Sequence, residues 1–207
     1  MTKIILVRHG QTAWNKEERF RGQHDIPLDD TGKTQAQLTA QRIAAHWQPT
    51  AVFTSPLSRT LQTATPIAQL CGLSVQVHPN LRDINYGAWT GLLIEEARGK
   101  YPQLIKAWFD APHTVVIPLG ESLAMVRERA MQAVQEIVNQ HPSEVIVLVS
   151  HTVVNRLILL GMLGIGNELF WQLRQEPCAI NIIDWEAGKF ILTLMNDTCH
   201  LSALQRS

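Results

Sequence analysis

Three short apolar runs in this 207-residue chain each stop at polar side chains capable of chemistry: Arg8-His9-Gly10, Ser55-Pro56-Leu57-Ser58-Arg59, and Ser150-His151. A neutral imidazole has an unperturbed pKa near ~6.5, so near neutral pH much of it keeps a free lone pair and needs no separate base to act as a nucleophile. Neighbouring guanidinium groups lower that pKa further and hold the reactive form. Arginine also presents a planar fork of donors matched to phosphoryl oxygens. Taken alone, an Arg-His-Gly is a turn, Arg59 a solvated helix residue and His151 a core histidine. Their chemical meaning depends on whether the fold brings them together.

The surrounding elements predict that it does. Ile4 to Val7 is a short β-branched run ending at Arg8, too short for a core helix and suited to a buried strand. The polar stretch from Lys16 to Asp30, with Gly22 and Pro27, reads as a loop over the site. Helical spacing of Ala36, Ala40, Ile43 and Trp47 follows a cap near Thr31 and stops before Pro49. Ala51 to Thr54 is a second strand. Ser55-Pro56 then reads as the cap and first turn of a helix reaching about Leu70, and Val75 to Val77 as a weak third strand.

Residues 81–118 are irregular and rich in Gly, Pro and aromatics. From Ser122 a long amphipathic helix runs to about His141. Val145 to Val149 is a continuous apolar strand of the kind buried on both faces, and a helix follows from Thr152 to Leu163. Ala179 to Trp185 and Phe190 to Met195 form a hairpin. Alternating strands and helices predict an α/β three-layer sandwich, with a mostly parallel central sheet flanked by helices. In such a sheet the three polar breaks share the carboxyl edge, where backbone N–H groups and the helix start at Thr152 add to the pull on an anion. The ligand this predicts is a phosphoryl group.

Bulk properties narrow the rest. A 45% hydrophobic, 17% charged chain of this length predicts one domain over residues 1–207, with an irregular lid-like segment at about 81–120. Eighteen basic residues balance eighteen acidic ones, so no global field favours nucleic acid or a membrane surface. Cys71, Cys178 and Cys199 are odd in number and lack metal spacing, which fits free thiols in a cytoplasmic protein. No run is long enough to span a bilayer.

These segments jointly resemble the histidine phosphatase superfamily, the fold of the cofactor-dependent phosphoglycerate mutases. The matching stretches are Leu6 to Asn15 (Leu-Val-Arg-His-Gly-Gln-Thr-Ala-Trp-Asn), Ser55 to Ala64, Leu81 to Gly91, and Val149-Ser150-His151, in that order over about residues 4–200. The resemblance implies a phosphoglycerate mutase-like fold and a phosphoric monoester hydrolase of the histidine acid phosphatase type. It makes His9 the nucleophile that forms phosphohistidine, with Arg8, Arg59 and His151 on the nonbridging oxygens. It places the proton-donating acid at Asp83, where most members carry glutamate. Asn15, Gln11, Gly22, Tyr86 and Thr152 are expected to bind substrate, and His24 is a further candidate for the pocket wall.

No metal or cofactor is expected. The implied partner is a small phosphate ester, with neither nucleic acid nor membrane involved and a homodimer left open. A mutase is the main alternative. It needs extra cations and a lid, and the lid segment offers only Arg98, Lys100 and Lys106. A noncatalytic phospholigand-binding domain is a lesser alternative, and a metallohydrolase lacks the expected His-x-x-x-His pair. Tyr86, Trp89, Trp108 and Phe109 hint at an apolar or aromatic leaving group.

Overall fold

A computed structural model describes residues 1–202 and 204, apart from the side chains of Asn15 and Lys16. Six strands form one mixed sheet: β1 (Thr2–Arg8), β2 (Ala51–Thr54), β3 (Val75–Val77), β4 (Val145–Ser150), β5 (Ile180–Glu186) and β6 (Lys189–Asp197), in the order β3-β2-β4-β1-β5-β6. The first four are parallel neighbours, and the β5-β6 hairpin adds antiparallel strands on the far side of β1.

Register decides where the chemistry lies. β1 and β4 pair Ile5 with Val147 and Arg8 with Ser150, so Arg8-His9 and Ser150-His151 leave the sheet side by side. β2 flanks β4 with Thr54 opposite Val149, which brings Ser55 to the same edge. The ladder continues past the strand ends: the N–H of His9 donates to Ser150 O at 2.9 Å, and that of Ser55 to Val149 O at 3.2 Å.

The period-two alternation of strand side chains builds one core on each face. Ile4, Leu6, Phe53, Ile146 and Leu148 face α6 (Leu123–Gln140) and α7 (Thr152–Met162), together with Trp89 and Trp108. Ile5, Val7, Val52, Val147 and Val149 face α2 (Asp30–His46) and α3 (Ser58–Leu70). The remaining helices are short: α1 (Ala13–Lys16) follows the first strand's loop, and α4 (Ile94–Lys100) and α5 (Pro102–Asp110) lie in the irregular segment.

Two helix starts differ from expectation. α2 is capped by Asp29 rather than Thr31, because the Asp29 carboxylate accepts from Gly32 N at 2.8 Å. Ser55 and Pro56 precede α3 instead of opening it. That helix starts at Ser58 with Leu57 at the cap and no side-chain cap bond, and the Ser55 hydroxyl is used elsewhere, as described below.

The turn after His9 is pressed against the first turn of α2. A Cβ on Gly10 would lie 2.6 Å from Gly32 O, and one on Gly32 would lie 2.1 Å from Gln11 O. No side chain fits at that separation, so the two glycines set how closely α2 approaches the loop that carries His9. Gly32→Ala is therefore expected to destabilise the protein by about 1–3 kcal/mol, the usual range for overpacking a tight site. Urea unfolding measures this, and an unchanged midpoint would show that the contact does not constrain the fold.

Candidate active site

His9 is almost fully buried at the end of β1, with Nδ1 2.7 Å from Gly10 O. A carbonyl only accepts, so Nδ1 carries the proton and Nε2 carries the lone pair. Nε2 has no hydrogen-bond partner among the described residues. Thr63 on α3 holds the adjacent backbone: its hydroxyl accepts from Gly10 N at 3.1 Å and donates to Arg59 O at 2.8 Å. Arg8 beside it donates from Nη1 to Gln175 O. The Gln175 amide is in turn locked to Asn181 through two hydrogen bonds, of 2.9 and 2.8 Å.

His151 caps α7, and its ring centroid lies 5.3 Å from that of His9. Arg59 Nε donates to His151 Nδ1 at 3.2 Å, which makes Nδ1 the acceptor and leaves Nε2–H to donate to Ser55 Oγ at 2.8 Å. Arg59 itself is fully buried. Beyond His151 it donates from Nη1 to His24 O at 2.9 Å, and from Nη2 to Gly22 O at 2.7 Å and Asp83 Oδ2 at 3.0 Å.

Asp83 completes the cluster. Its Oδ1 accepts from its neighbour Ile84 N at 2.9 Å, and its Oδ2 lies 3.6 Å from His151 Nδ1. Its loop is clamped by Arg129 of α6, which donates to the carbonyls of Asn80, Arg82 and Asp83 while pairing with the Glu121 carboxylate at 2.8 and 3.0 Å. The carboxylate thus bonds its own loop through Oδ1 and turns Oδ2 toward Arg59 and His151.

A cavity of about 390 Å³ opens above this cluster and reaches Arg8 and Asp83. Of the expected substrate-binding residues, Gly22, Tyr86 and Thr152 line it. Gln11 does not. Its amide donates to Asp29 Oδ2 at 2.8 Å and its backbone N–H to Gln35 Oε1 at 2.9 Å, so it fastens the loop to α2. The side chain of Asn15 lies outside the described residues. His24 stacks on Trp14, 5.0 Å between centroids, and joins the site through its carbonyl to Arg59 rather than through its ring in the cavity wall.

The aromatic segment divides in two. Tyr86, Trp108 and Phe109 border the cavity, whereas Trp89 is core. Arg98 and Lys106 are exposed and paired with Glu95 and Asp110, away from the cavity. Its cations come from elsewhere: Arg19 and Arg21 from the first loop, Arg156 from α7, and Arg174 from the stretch after it. These arginines, along with Ser55 and Gln175, were not found by sequence reasoning. Ser55 carried a signal, since it follows a strand at the same edge as His9, but that signal was read as a helix cap. Arg156 sits at helical spacing from Thr152, and nothing in the 164–178 stretch marked Arg174 or Gln175.

Burial sets the protonation states. It lowers His9 well below the ordinary imidazole value, and Arg59, Arg8 and Arg21 push the same way. His151 is lowered well below that value too, by burial and then by Arg59 and His9. Asp83 moves oppositely: burial raises it above the usual carboxyl value, against the pull of Arg59 and Arg21. Arg8 is brought down to about 9 by burial and by Arg21. The site therefore holds two neutral imidazoles and a carboxyl that keeps its proton more readily than usual, amid an excess of guanidinium charge.

The chain is similar to known proteins over nearly its full length. The chain is 36% identical over 201 residues to phosphoserine phosphatase 1 of Hydrogenobacter thermophilus, covering 97% of this chain and 95% of that one. It is 34% identical to a Yersinia enterocolitica protein named probable phosphoglycerate mutase GpmB, covering 97% and 95%. The solved structure of Bacillus stearothermophilus YhfR superposes with a TM-score of 0.93 at 30% identity, covering 97% of this chain and 100% of that one. Residues 4–198 match the family described as histidine phosphatase superfamily (branch 1), and the chain belongs to that superfamily.

Proposed function

We infer that the protein is a phosphatase that hydrolyses a small organic phosphate monoester through a phosphohistidine on His9. The observation that carries this reading is the free lone pair on His9 Nε2, fixed by the Nδ1 bond to Gly10 O and surrounded by Arg8, Arg59 and His151. A buried neutral nucleophile ringed by cations suits an anionic electrophile and disfavours protonation of the attacking nitrogen.

The steps follow from these positions. Nε2 attacks phosphorus as the ester P–O bond breaks, and Asp83 gives its proton to the departing alkoxide oxygen. Arg8 and Arg59, with Nε2–H of His151 turned from Ser55 to the phosphoryl, stabilise charge on the nonbridging oxygens. Water then attacks the phosphohistidine, the Asp83 carboxylate takes the water's proton, the N–P bond breaks, and neutral His9 is restored. The raised pKa of Asp83 fits both roles. It also agrees with an acid-type phosphatase, because the donor form is lost as the pH rises.

The relatives narrow the substrate. A phosphoserine phosphatase relative and the arginine-rich cavity together favour an ester with an anionic alcohol portion over a purely apolar or aromatic one. The same arginines, with a relative named as a mutase, make phosphoglycerate mutase the second reading. The deciding assay follows inorganic phosphate and phosphoglycerate isomers in parallel. Phosphate release from O-phosphoserine is expected to dominate. Interconversion of the two monophosphoglycerates much faster than phosphate release would select the mutase instead.

The role of Asp83 has its own test. With alkyl phosphates, kcat/KM should fall as the pH rises through the Asp83 pKa, because the protonated donor is present only below it. Asp83→Asn is expected to lower kcat/KM for alkyl phosphates by ~10²–10⁴-fold and to abolish that alkaline limb. With p-nitrophenyl phosphate, whose leaving group needs no proton, the loss should be far smaller. Equal losses on both substrates would remove Asp83 from the role of acid.

A further inference from the structure

The cavity is lined by Arg8 and Asp83 of the phosphoryl site and also by Arg156, which among the described residues makes no hydrogen bond to that cluster. Arg156 stands on α7 four residues beyond Thr152, about one turn or ~6 Å further along the helix axis. Its Nε donates to Leu173 O at 2.6 Å, and its guanidinium lies over the rings of Phe170 and Trp171, 5.0 Å from each centroid.

These contacts fix the guanidinium but consume only Nε. Among the described residues, neither Nη1 nor Nη2 has a hydrogen-bond acceptor. A held, half-buried guanidinium with its fork uncommitted, on the wall of a cavity, is a receptor for a planar oxyanion. The charge around it limits which one. Glu18 and Glu176 line the cavity with it, and Glu176 offsets part of the charge of Arg156. That suits one carboxylate better than a second phosphoryl dianion.

We propose that Arg156 is a specificity-determining residue that binds a carboxylate on the alcohol portion of the phosphate ester, about one helical turn from the phosphoryl group. This rests on the reading of His9 as the site of phosphoryl transfer. The substrates it favours are short phosphoesters whose carboxylate stands a few bonds from phosphorus. Esters without that carboxylate leave the fork of Arg156 unmatched. Phe170 and Trp171 then serve to hold Arg156 in place rather than to stack on an aromatic leaving group.

The test compares O-phosphoserine with phosphoethanolamine, which differs by lacking the carboxylate, in wild type, Arg156→Met and Arg156→Lys. Arg156→Met is expected to lower the phosphoserine-to-phosphoethanolamine ratio of kcat/KM by ~10–100-fold, the worth of a charged hydrogen-bond pair, and Arg156→Lys to restore part of it. A purely structural role would lower both substrates together and leave the ratio unchanged, which would overturn the proposal. Calorimetric binding of the same two esters to His9→Ala, with and without Arg156→Met, gives a second reading independent of turnover. A selective loss of phosphoserine binding there supports the proposal even if wild type hydrolyses neither ester, a result that would defeat only the phosphatase reading. Equal binding losses for both esters would overturn the role of Arg156.

Discussion

The site depends on one buried charge. Arg59 has no exposed surface, and an unpaired guanidinium there would cost several kcal/mol, so its N–H groups must be met. Four hydrogen bonds meet them, to Gly22 O, His24 O, Asp83 Oδ2 and His151 Nδ1. The side chain comes from α3, and its acceptors come from the first loop, the acid loop and the cap of α7. Four segments distant in sequence are thereby held in one geometry. Among the described residues, four of the five guanidinium N–H donors have acceptors, leaving one on Nη1.

The same charge modifies protonation preferences that burial sets. Burial is the largest influence on His9, His151 and Asp83, and in each case it favours the neutral form. For the imidazoles, the arginines add to burial and strengthen the effect. For the carboxyl they oppose it and moderate the rise. A chain with no formal net charge thus creates a strongly cationic site locally, in which His9 is biased toward the neutral imidazole and Asp83 holds its proton more readily than an ordinary carboxyl.

How much of this was legible in the sequence follows from the range of each interaction. The strand ends at Arg8-His9 and Ser150-His151 could be read because a continuous buried strand announces itself by composition, and parallel pairing then aligns its end with its neighbour's. The aligned edge was enough to expect His9, Arg59 and His151 together. Ser55 was misread because a serine before a proline has a good local explanation, helix capping, while its actual partner, His151, is 96 residues away. Gln11 was misplaced for a similar reason. It neighbours His9 in sequence, yet α2 turns its amide toward Asp29. Trp89 and Phe109 look alike in sequence, and only packing distinguishes core from cavity wall. Arg156 lies on a helix whose apolar face dominates its pattern, so its place beside Phe170 and Trp171 depends on how the later chain folds back.

The central claim is that the lone pair on His9 Nε2 accepts the phosphoryl group. Rapid acid-free quenching after brief exposure to O-phosphoserine, followed by peptide mass spectrometry, measures this directly. The account predicts an acid-labile phosphate on His9, which appears before steady-state phosphate release and is absent in His9→Ala. Turnover of the ester with no phosphate on His9 at any quench time, or with label on another residue, would contradict it.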